Sequence, residues 1–252
     1  PQDELAVNVT YTSCTFRRHP AGPNPFHAVF MAPEATCPQP VGLLAQEGDR
    51  WILSCGTYQG RPAPETLAAL LEAVERDAPA EIHIALCAAQ ALTTPLHYHY
   101  ARSIRHRYEK LNRFPDGFLV IGDALCSLNP VYGQGMSVAA LQALALKKAL
   151  QRPFGRLWRR YFKQAARIVA TPWALSHLSD LALPSVTGKR PWGFHWYQRA
   201  LDRVRYAATR DPAVAMAVLH VIHLQKAPTT LLRPGVVWRI VWANLPTPAH
   251  TC

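Results

Sequence analysis

The sequence predicts an α/β protein, and over this stretch more narrowly α+β. We expect an antiparallel substrate-domain sheet first, then one strand–helix unit of a Rossmann-like domain, then a helical tail. Three patterns indicate this: apolar–polar alternation near the start, an Ala- and Leu-rich run over 136–150, and helical periodicity after Pro153. The predicted segments are 1–112, 113–152 and 153–252.

Hydrophobic residues make up 49% and charged residues 17%, which excludes a disordered chain or a charge-rich coiled coil.

The sheet elements follow from the period-2 pattern and from turn residues. Val7, Val9 and Tyr11 alternate with polar residues, as in a half-buried strand. A break at His19–Pro23 should end that strand. The remaining predicted strands and the hairpin are Phe26–Met31, Leu43–Gln46 with Trp51–Leu53 across Glu47-Gly48-Asp49, and an extended Thr93–Tyr100.

The first predicted helix begins near Pro64, with Glu65 in its first turn and leucines at helical spacing up to Val74. A second helix is expected over Ile82–Ala91. In the tail we predict helices over 154–170, 172–182, 194–208, 212–225 and near 235–244.

Six scattered cysteines without a C-x-x-C pair indicate reduced thiols in a cytoplasmic protein, and we expect no zinc site. The sequence contains no run of roughly 18 uncharged apolar residues, so we expect no membrane-spanning helix. The start of the chain lacks the basic and apolar regions of a signal peptide.

Charge is unevenly distributed along the chain. Residues 1–110 carry 9 Lys and Arg against 11 Asp and Glu, whereas residues 111–252 carry 18 against 5. A basic half indicates an anionic partner: a phosphorylated cofactor, an acidic membrane surface or nucleic acid. A solvated basic helix face is the alternative.

The most informative stretch lies between Phe118 and Leu150. An apolar run, Phe118–Ile121, predicts a strand buried on both faces of a parallel sheet. Asp123 follows it and can accept a hydrogen bond from a sugar or polyol hydroxyl. Gly133 and Gly135 then allow a flat or anionic ligand to approach the backbone at the start of a helix, where free N–H groups favour negative charge.

This arrangement resembles the second FAD motif of flavoprotein aromatic hydroxylases and related single-component monooxygenases. The longer segment 118–136 is similar to flavin epoxidases and hydroxylases of the squalene-epoxidase and polyether-epoxidase type. The residues that carry the resemblance, and that form the predicted cofactor site, are Gly122, Asp123, Ala124, Pro130, Gly133, Gln134, Gly135 and Met136.

The resemblance implies specific roles at the cofactor. Asp123 would bind the ribityl chain or ribose of FAD, and the N–H groups of Gly135 and Met136 would face the flavin N1/O2 edge. Pro130 would lie against the flavin. NAD(P)H would reduce FAD, and a flavin C4a-hydroperoxide would hydroxylate or epoxidise an apolar or aromatic small molecule. Related reductases, halogenases and cyclases share the motif, and turn residues capping a Rossmann-like helix are the simplest alternative.

The chain departs from the family in two respects. No strand-G-x-G-x-x-G-helix unit for the ADP half of FAD is present, since the one G-x-G is Gly133-Gln134-Gly135 with Val138 three residues on. The family's Asp-Gly motif ahead of the substrate sheet is also absent, because Asp116-Gly117 is a turn before the motif strand and cannot serve as that motif. The chain therefore resembles a carboxyl-terminal portion, to which a further nucleotide-binding segment or partner would contribute, and alone it should hold FAD weakly or not at all. A non-catalytic remnant or binding module that does not hold flavin is the second interpretation.

Tyr98 and Tyr100 alternate with His97 and His99, and we assign the two tyrosines to the substrate pocket. The histidine pair lacks a third metal ligand nearby. A basic cluster before the motif is formed by Arg102, Arg105, His106 and Arg107. We interpret it as a solvated turn, and contact with cofactor phosphates is the alternative.

Six of the seven tryptophans fall in the basic tail, and helical packing explains most of them. The segment Leu231–Trp242 is apolar enough to contact a membrane, so peripheral docking of the C-terminal helices is a third interpretation. We do not expect nucleic acid as the partner.

Overall fold

A six-stranded antiparallel sheet and seven α-helices form the protein in the part of the chain that is described. The structure is a computed structural model and describes residues 1–19, 26–87, 89–151 and 155–245. The strands are β1 Gln2–Arg17, β2 Ala28–Met31, β3 Val41–Gln46, β4 Arg50–Tyr58, β5 Leu96–His106 and β6 Cys126–Ser127. The helices are α1 Leu67–Asp77, α2 Ala80–Leu86, α3 Gly135–Leu150, α4 Leu157–Asp180, α5 Phe194–Ala208, α6 Pro212–Ile222 and α7 Pro234–Ala243.

The sheet is built around its long first strand. Its order is β2-β3-β4-β1-β5-β6, so β1 lies between β4 and β5. The register places Thr12 opposite Cys55 and His97, with a bulge between Ala6 and Val9. The predicted antiparallel sheet and the β3–β4 hairpin are confirmed. Residues 20–23 of the predicted break lie outside the described residues, but β1 ends before them.

One sheet face packs against α1 and α2 and forms a dry core. The alternate residues of β1, β3 and β4 that face this way are fully buried, because strand side chains alternate between faces. The largest members of this core are Phe16, Leu43, Trp51, Leu53, Leu70 and Ile82.

The ends of the first two helices differ from the sequence prediction. Thr66, not Pro64, begins α1: its side chain accepts a hydrogen bond from the Ala69 N–H at 3.2 Å. A capping hydroxyl satisfies an N–H of the first turn that Pro64 and Glu65 leave unpaired. The predicted helix over Ile82–Ala91 ends at Leu86, because Ala91 instead bridges to Phe16 of β1.

The predicted break between 154–170 and 172–182 is wrong, since α4 runs through both. Pro172 lies inside this 24-residue helix and is buried. Its flanking turns are held by core packing of Val169 and Trp173. That packing outweighs the local preference of proline for a helix end. The predicted tail helices 194–208, 212–225 and 235–244 correspond to α5, α6 and α7.

Phe118–Ile121 does not form the predicted strand. Within the described residues no strand pairs with this segment, and Phe118 and Ile121 are 57% and 40% exposed. A strand buried on both faces needs neighbouring strands, and the described residues supply none here, although Leu119 and Val120 pack against the core of α3 and α4. The short strand β6 follows instead and pairs with β5.

The basic cluster is also not a solvated turn. Arg102 pairs with Glu4 at 2.9 Å, and Arg107 pairs with Asp3 and Glu109 at 2.6 Å each. Arg105 is buried and donates to the carbonyl of Ala166 in α4 at 3.1 Å. These cations therefore fasten the end of β5 to β1 and α4.

No helix among the described residues is long and apolar enough to cross a membrane. The division of the chain into segments 1–112, 113–152 and 153–252 stays a prediction.

We expect Gly56→Ala to lower the free energy of unfolding by roughly 1–3 kcal/mol. An added Cβ would lie 2.6 Å from Cγ of Pro40, whose ring cannot rotate away. Gly235→Ala is the matched control, because nothing lies within 4 Å of its Cβ and alanine favours the helix. Urea unfolding of both variants checks this; a Gly56→Ala midpoint equal to that of the parent would contradict the packing.

Candidate functional site

The loop between β6 and α3 is fixed by one buried amide. Asn129 is 1% exposed, and its Oδ1 accepts hydrogen bonds from the Tyr11 hydroxyl at 2.5 Å and the Val131 N–H at 3.3 Å. Its Nδ2 donates to the Tyr58 hydroxyl at 3.2 Å and to Asp180 Oδ1 at 2.9 Å. One side chain therefore ties the loop to β1, β4 and the last turn of α4.

Asp180 is the buried acid of this network. Its Oδ1 also accepts from the Tyr132 hydroxyl at 2.8 Å, while Oδ2 has no hydrogen-bond partner among the described residues. Burial raises the pKa of Asp180 to about 7, against the lowering effect of its hydrogen-bond donors. The carboxyl thus changes charge near neutral pH.

The surrounding tyrosines stay protonated over the ordinary pH range. Burial is the main cause that raises the pKa of Tyr11, Tyr58 and Tyr132, and the charge of Asp180 adds to it. The Tyr11 hydroxyl also accepts a hydrogen bond from the Val131 N–H at 3.1 Å. Each phenol therefore acts as a neutral hydrogen-bonding group that holds the loop in place.

The predicted cofactor residues meet at the N-terminus of α3. Gly122–Ala124 form a 3₁₀ turn, and the Gly122 N–H donates to Oε1 of the fully buried Gln142 at 2.7 Å. Gly122 has a φ of +68°, which favours glycine. This turn brings Asp123 beside α3: a Cβ added to Gly135 would lie 3.8 Å from Asp123 Oδ1.

The start of α3 is open to a ligand. Pro130–Tyr132 form a second 3₁₀ turn, which ends at Gly133 with a φ of +63°. No acidic residue lies in the first turn of α3, and no side chain of the described residues caps it. The first N–H groups of this 16-residue helix are thus available to an acceptor or an anion.

The predicted cofactor residues differ in their exposure. Asp123, Ala124, Pro130 and Gly133 are exposed, and Met136 is 86% exposed. The side chain of Gln134 is buried and donates to the Ile222 carbonyl at 2.9 Å, so it anchors α6. The backbone of Gln134, rather than its side chain, is therefore available to a ligand at this site.

A second surface lies on the sheet face opposite α1 and α2. Cross-strand register aligns a row of side chains on this face: Phe30, Gly42, Ser54, Ser13 and Leu96. Leu96 is 66% exposed and Phe30 is 54% exposed, and the Ser13 and Ser54 hydroxyls bond to each other at 2.8 Å. Neither this row nor the neighbouring row through Tyr11 carries a charge, and the arginines of the face, Arg17 and Arg50, lie two rows away at its end, so the two central rows suit an apolar molecule.

The two predicted substrate tyrosines have different positions. Tyr98 lies opposite Tyr11 and is 60% exposed on the uncharged face. Tyr100 is buried beside Tyr58, and its hydroxyl donates to Ser103 at 3.3 Å. Tyr98 is therefore open to a ligand, whereas Tyr100 packs in the core.

The histidines between them face the other way. His97 and His99 each lie 3.1 Å from a threonine hydroxyl, on Thr12 and Thr10. No group of three or more metal-ligating side chains exists within the described ranges.

Tyr11 joins the two surfaces. It lies in the uncharged sheet face, and its hydroxyl bonds both Asn129 and the Val131 N–H of the loop before α3. Tyr11 therefore fastens the loop that precedes α3 to the sheet face.

Comparisons with known proteins agree with this arrangement at the level of fold. No protein-family model matches the chain. The sequence is 29% identical over 222 residues to protein Rv3254 of Mycobacterium tuberculosis strain H37Rv, covering 85% of this chain and 46% of that protein. The chain thus spans about half the length of this curated relative.

Two solved structures share the fold. The Diels-Alderase PyrE3 of the pyrroindomycin biosynthetic pathway has a TM-score of 0.56 at 15% identity, covering 88% of this chain and 45% of that chain. PqsL, described as a probable FAD-dependent monooxygenase from Pseudomonas aeruginosa, has a TM-score of 0.51 at 19% identity, covering 71% of this chain and 50% of that chain. The mixed α+β fold is therefore one that is also found in a flavin-monooxygenase-type protein.

Sequence reasoning missed the network that holds the loop, namely Tyr11, Tyr58, Asn129, Tyr132, Gln142 and Asp180. One signal was available: Asp180 is the one acid in a 24-residue helix that otherwise carries only basic charges.

We expect Asp180→Asn to remove a pH dependence of stability. An unfolded aspartate titrates near its ordinary pKa of 3.8, so between that value and about 7 the folded protein retains a proton that the unfolded chain has released. The parent should therefore lose stability as the pH rises through this range. The melting temperature of Asp180→Asn relative to the parent should increase from about pH 5 to about pH 8. A difference in melting temperature between Asp180→Asn and the parent that stays constant at all pH values would exclude a titrating Asp180.

Proposed function

We propose that this chain forms the substrate-facing and flavin-facing part of an FAD-dependent monooxygenase that hydroxylates or epoxidises an apolar or aromatic small molecule. One observation carries the proposal: the open start of α3, with Asp123 beside it, follows the loop that Tyr11 fastens to the sheet face. The fold shared with PqsL supports it.

The residues present fit one end of FAD. Asp123 would accept a hydrogen bond from a ribityl or ribose hydroxyl, and the N–H groups of Gly135 and Met136 would face the flavin N1/O2 edge. Gly133 leaves room for a flat ring, since nothing lies within 4 Å of a Cβ placed there. When bound and reduced by NAD(P)H, FAD would activate O2, of which one atom passes to the substrate and the other leaves as water.

The chain's own residues would orient and shield the reactants. The N-terminus of α3 would stabilise negative charge at the adjoining ring edge, because its N–H groups are fixed before the ligand arrives. The sheet face around Leu96 and Tyr98 would hold the substrate through apolar contact and exclude water. Asn129 would keep Pro130 at a constant distance from that face.

The adenosine half of FAD requires residues outside the site described above. An apolar surface adjoins the site and consists of Phe118, Ile121, Met136, Leu141 and Leu144, all at least 36% exposed. We infer that a nucleotide-binding segment or partner packs on this surface and completes the cofactor site. The relative of about twice the length is consistent with such a segment.

A second function is compatible with the same face. PyrE3, which shares the fold, is described as a Diels-Alderase. On this second proposal, the sheet face would hold an apolar substrate in a reactive conformation without net oxidation. Consumption of O2 that depends on both NAD(P)H and substrate separates the two functions.

We expect Asp123→Ala to weaken FAD binding at least about tenfold in the full-length natural protein, because a hydrogen bond to a charged group is worth about 1.5–3 kcal/mol. Asp116→Ala is the matched control, since Asp116 lies exposed in the turn before the motif. Flavin fluorescence titration measures both affinities. Equal affinities of the two variants would exclude Asp123 as a flavin ligand.

Leu96→Glu should weaken binding of a flat aromatic probe, 2-naphthol, at least about tenfold while FAD affinity stays unchanged, because the face would gain a charge that the probe must desolvate. Ile84→Glu, on exposed α2 behind the sheet, is the control. Fluorescence of the probe reports its affinity. If the two variants bind the probe equally, the sheet face is not the substrate surface.

A further inference from the structure

Helix α7 is apolar on two sides. Its inner residues Val236, Ile240 and Ala243 are partly buried and follow helical spacing. An outer stripe, the α7 stripe, consists of Val237, Trp238, Val241, Trp242 and Leu245, which are 39–65% exposed. The outward side of a surface helix is normally polar, and a helix that is apolar all round is normally covered.

The two tryptophans form the centre of the α7 stripe. Trp238 and Trp242 are one turn apart, with ring centroids 5.8 Å from each other. They are 65% and 64% exposed. Indole rings at an exposed position are typical of the membrane–water interface, where an apolar ring and a polar N–H are both accommodated.

The charge around the stripe identifies its partner. Residues 189–245 carry nine Lys and Arg against two acids, Asp202 and Asp211. Both acids are already paired with arginines of the same region: Asp202 with Arg205 at 3.7 Å and Asp211 with Arg239 at 2.9 Å. Residues 189–245 therefore carry a net charge of +7, and two of their arginines lie on α7 itself, Arg233 at its N-cap and Arg239 within it.

We propose that the α7 stripe docks on an anionic lipid bilayer, with α7 lying in the plane of the interface. The tryptophans and valines would enter the boundary between headgroups and acyl chains, while the surrounding arginines would contact anionic headgroups. A second copy of this chain would bring two positive surfaces together, which like-charge repulsion opposes. This docking does not depend on flavin binding.

The test uses the full-length natural protein and vesicles of phosphatidylcholine, with and without phosphatidylglycerol. We expect co-sedimentation with the anionic vesicles, weakened by salt, together with a blue shift of tryptophan emission. Trp238→Ser/Trp242→Ser should weaken this binding at least about tenfold. Arg233→Glu, at the exposed start of α7, should weaken it on the order of tenfold for anionic vesicles alone.

Ile84→Ser is the matched control, since it removes an exposed apolar side chain from α2. It should leave vesicle binding unchanged, and circular dichroism should show that all variants are folded. Absence of vesicle binding by the parent would overturn the proposal. So would binding that the double tryptophan variant retains, a tryptophan-dependent dimer in light scattering, or equal salt-sensitive binding of the parent and the double variant to duplex DNA.

Discussion

The carboxamide of Asn129 is the constraint on which the arrangement of the site depends. It makes four hydrogen bonds, and these reach two strands, its own loop and the last turn of α4. A buried amide that uses its donors and acceptors in this way allows one loop conformation, because any displacement leaves a buried polar atom unpaired. The position of Pro130, and with it the start of α3, is therefore set by the sheet.

The buried carboxylate of Asp180 lowers the stability of the folded state that this network holds rigid. A carboxylate buried with one unpartnered oxygen disfavours the folded state relative to an unfolded chain in which it is hydrated. The donors from Asn129 and Tyr132 offset part of this cost. The Asp180 carboxylate orders the loop by accepting hydrogen bonds from Asn129 and Tyr132. An apolar side chain of similar size could not accept them.

The elements that local patterns specify were predictable, and those that depend on distant partners were not. The alternation around Val9 gives β1, and the Ala- and Leu-rich run gives α3 to within one residue of its start. The helix break predicted near Pro172 was wrong because core packing outweighed the local preference of proline for a helix end. The predicted cofactor residues do meet, since they are close in sequence. The Tyr11–Asn129 bond joins residues 118 positions apart, so no spacing rule could have found it.

The three exposed apolar surfaces differ in what borders them, and this indicates different occupants. The sheet face is bordered by hydroxyls and contains no charge in its central rows, which suits a small neutral ligand. Between Phe118 and Lys147 the sequence carries one charged residue, Asp123 at the cofactor site, and the remaining surface is neutral, as expected where protein packs against protein. The α7 stripe is bordered by arginines, as at a lipid headgroup layer. A single apolar interface would not require three such different borders, so the composition of each border, rather than its apolar area, is the basis for proposing a different class of partner for each surface.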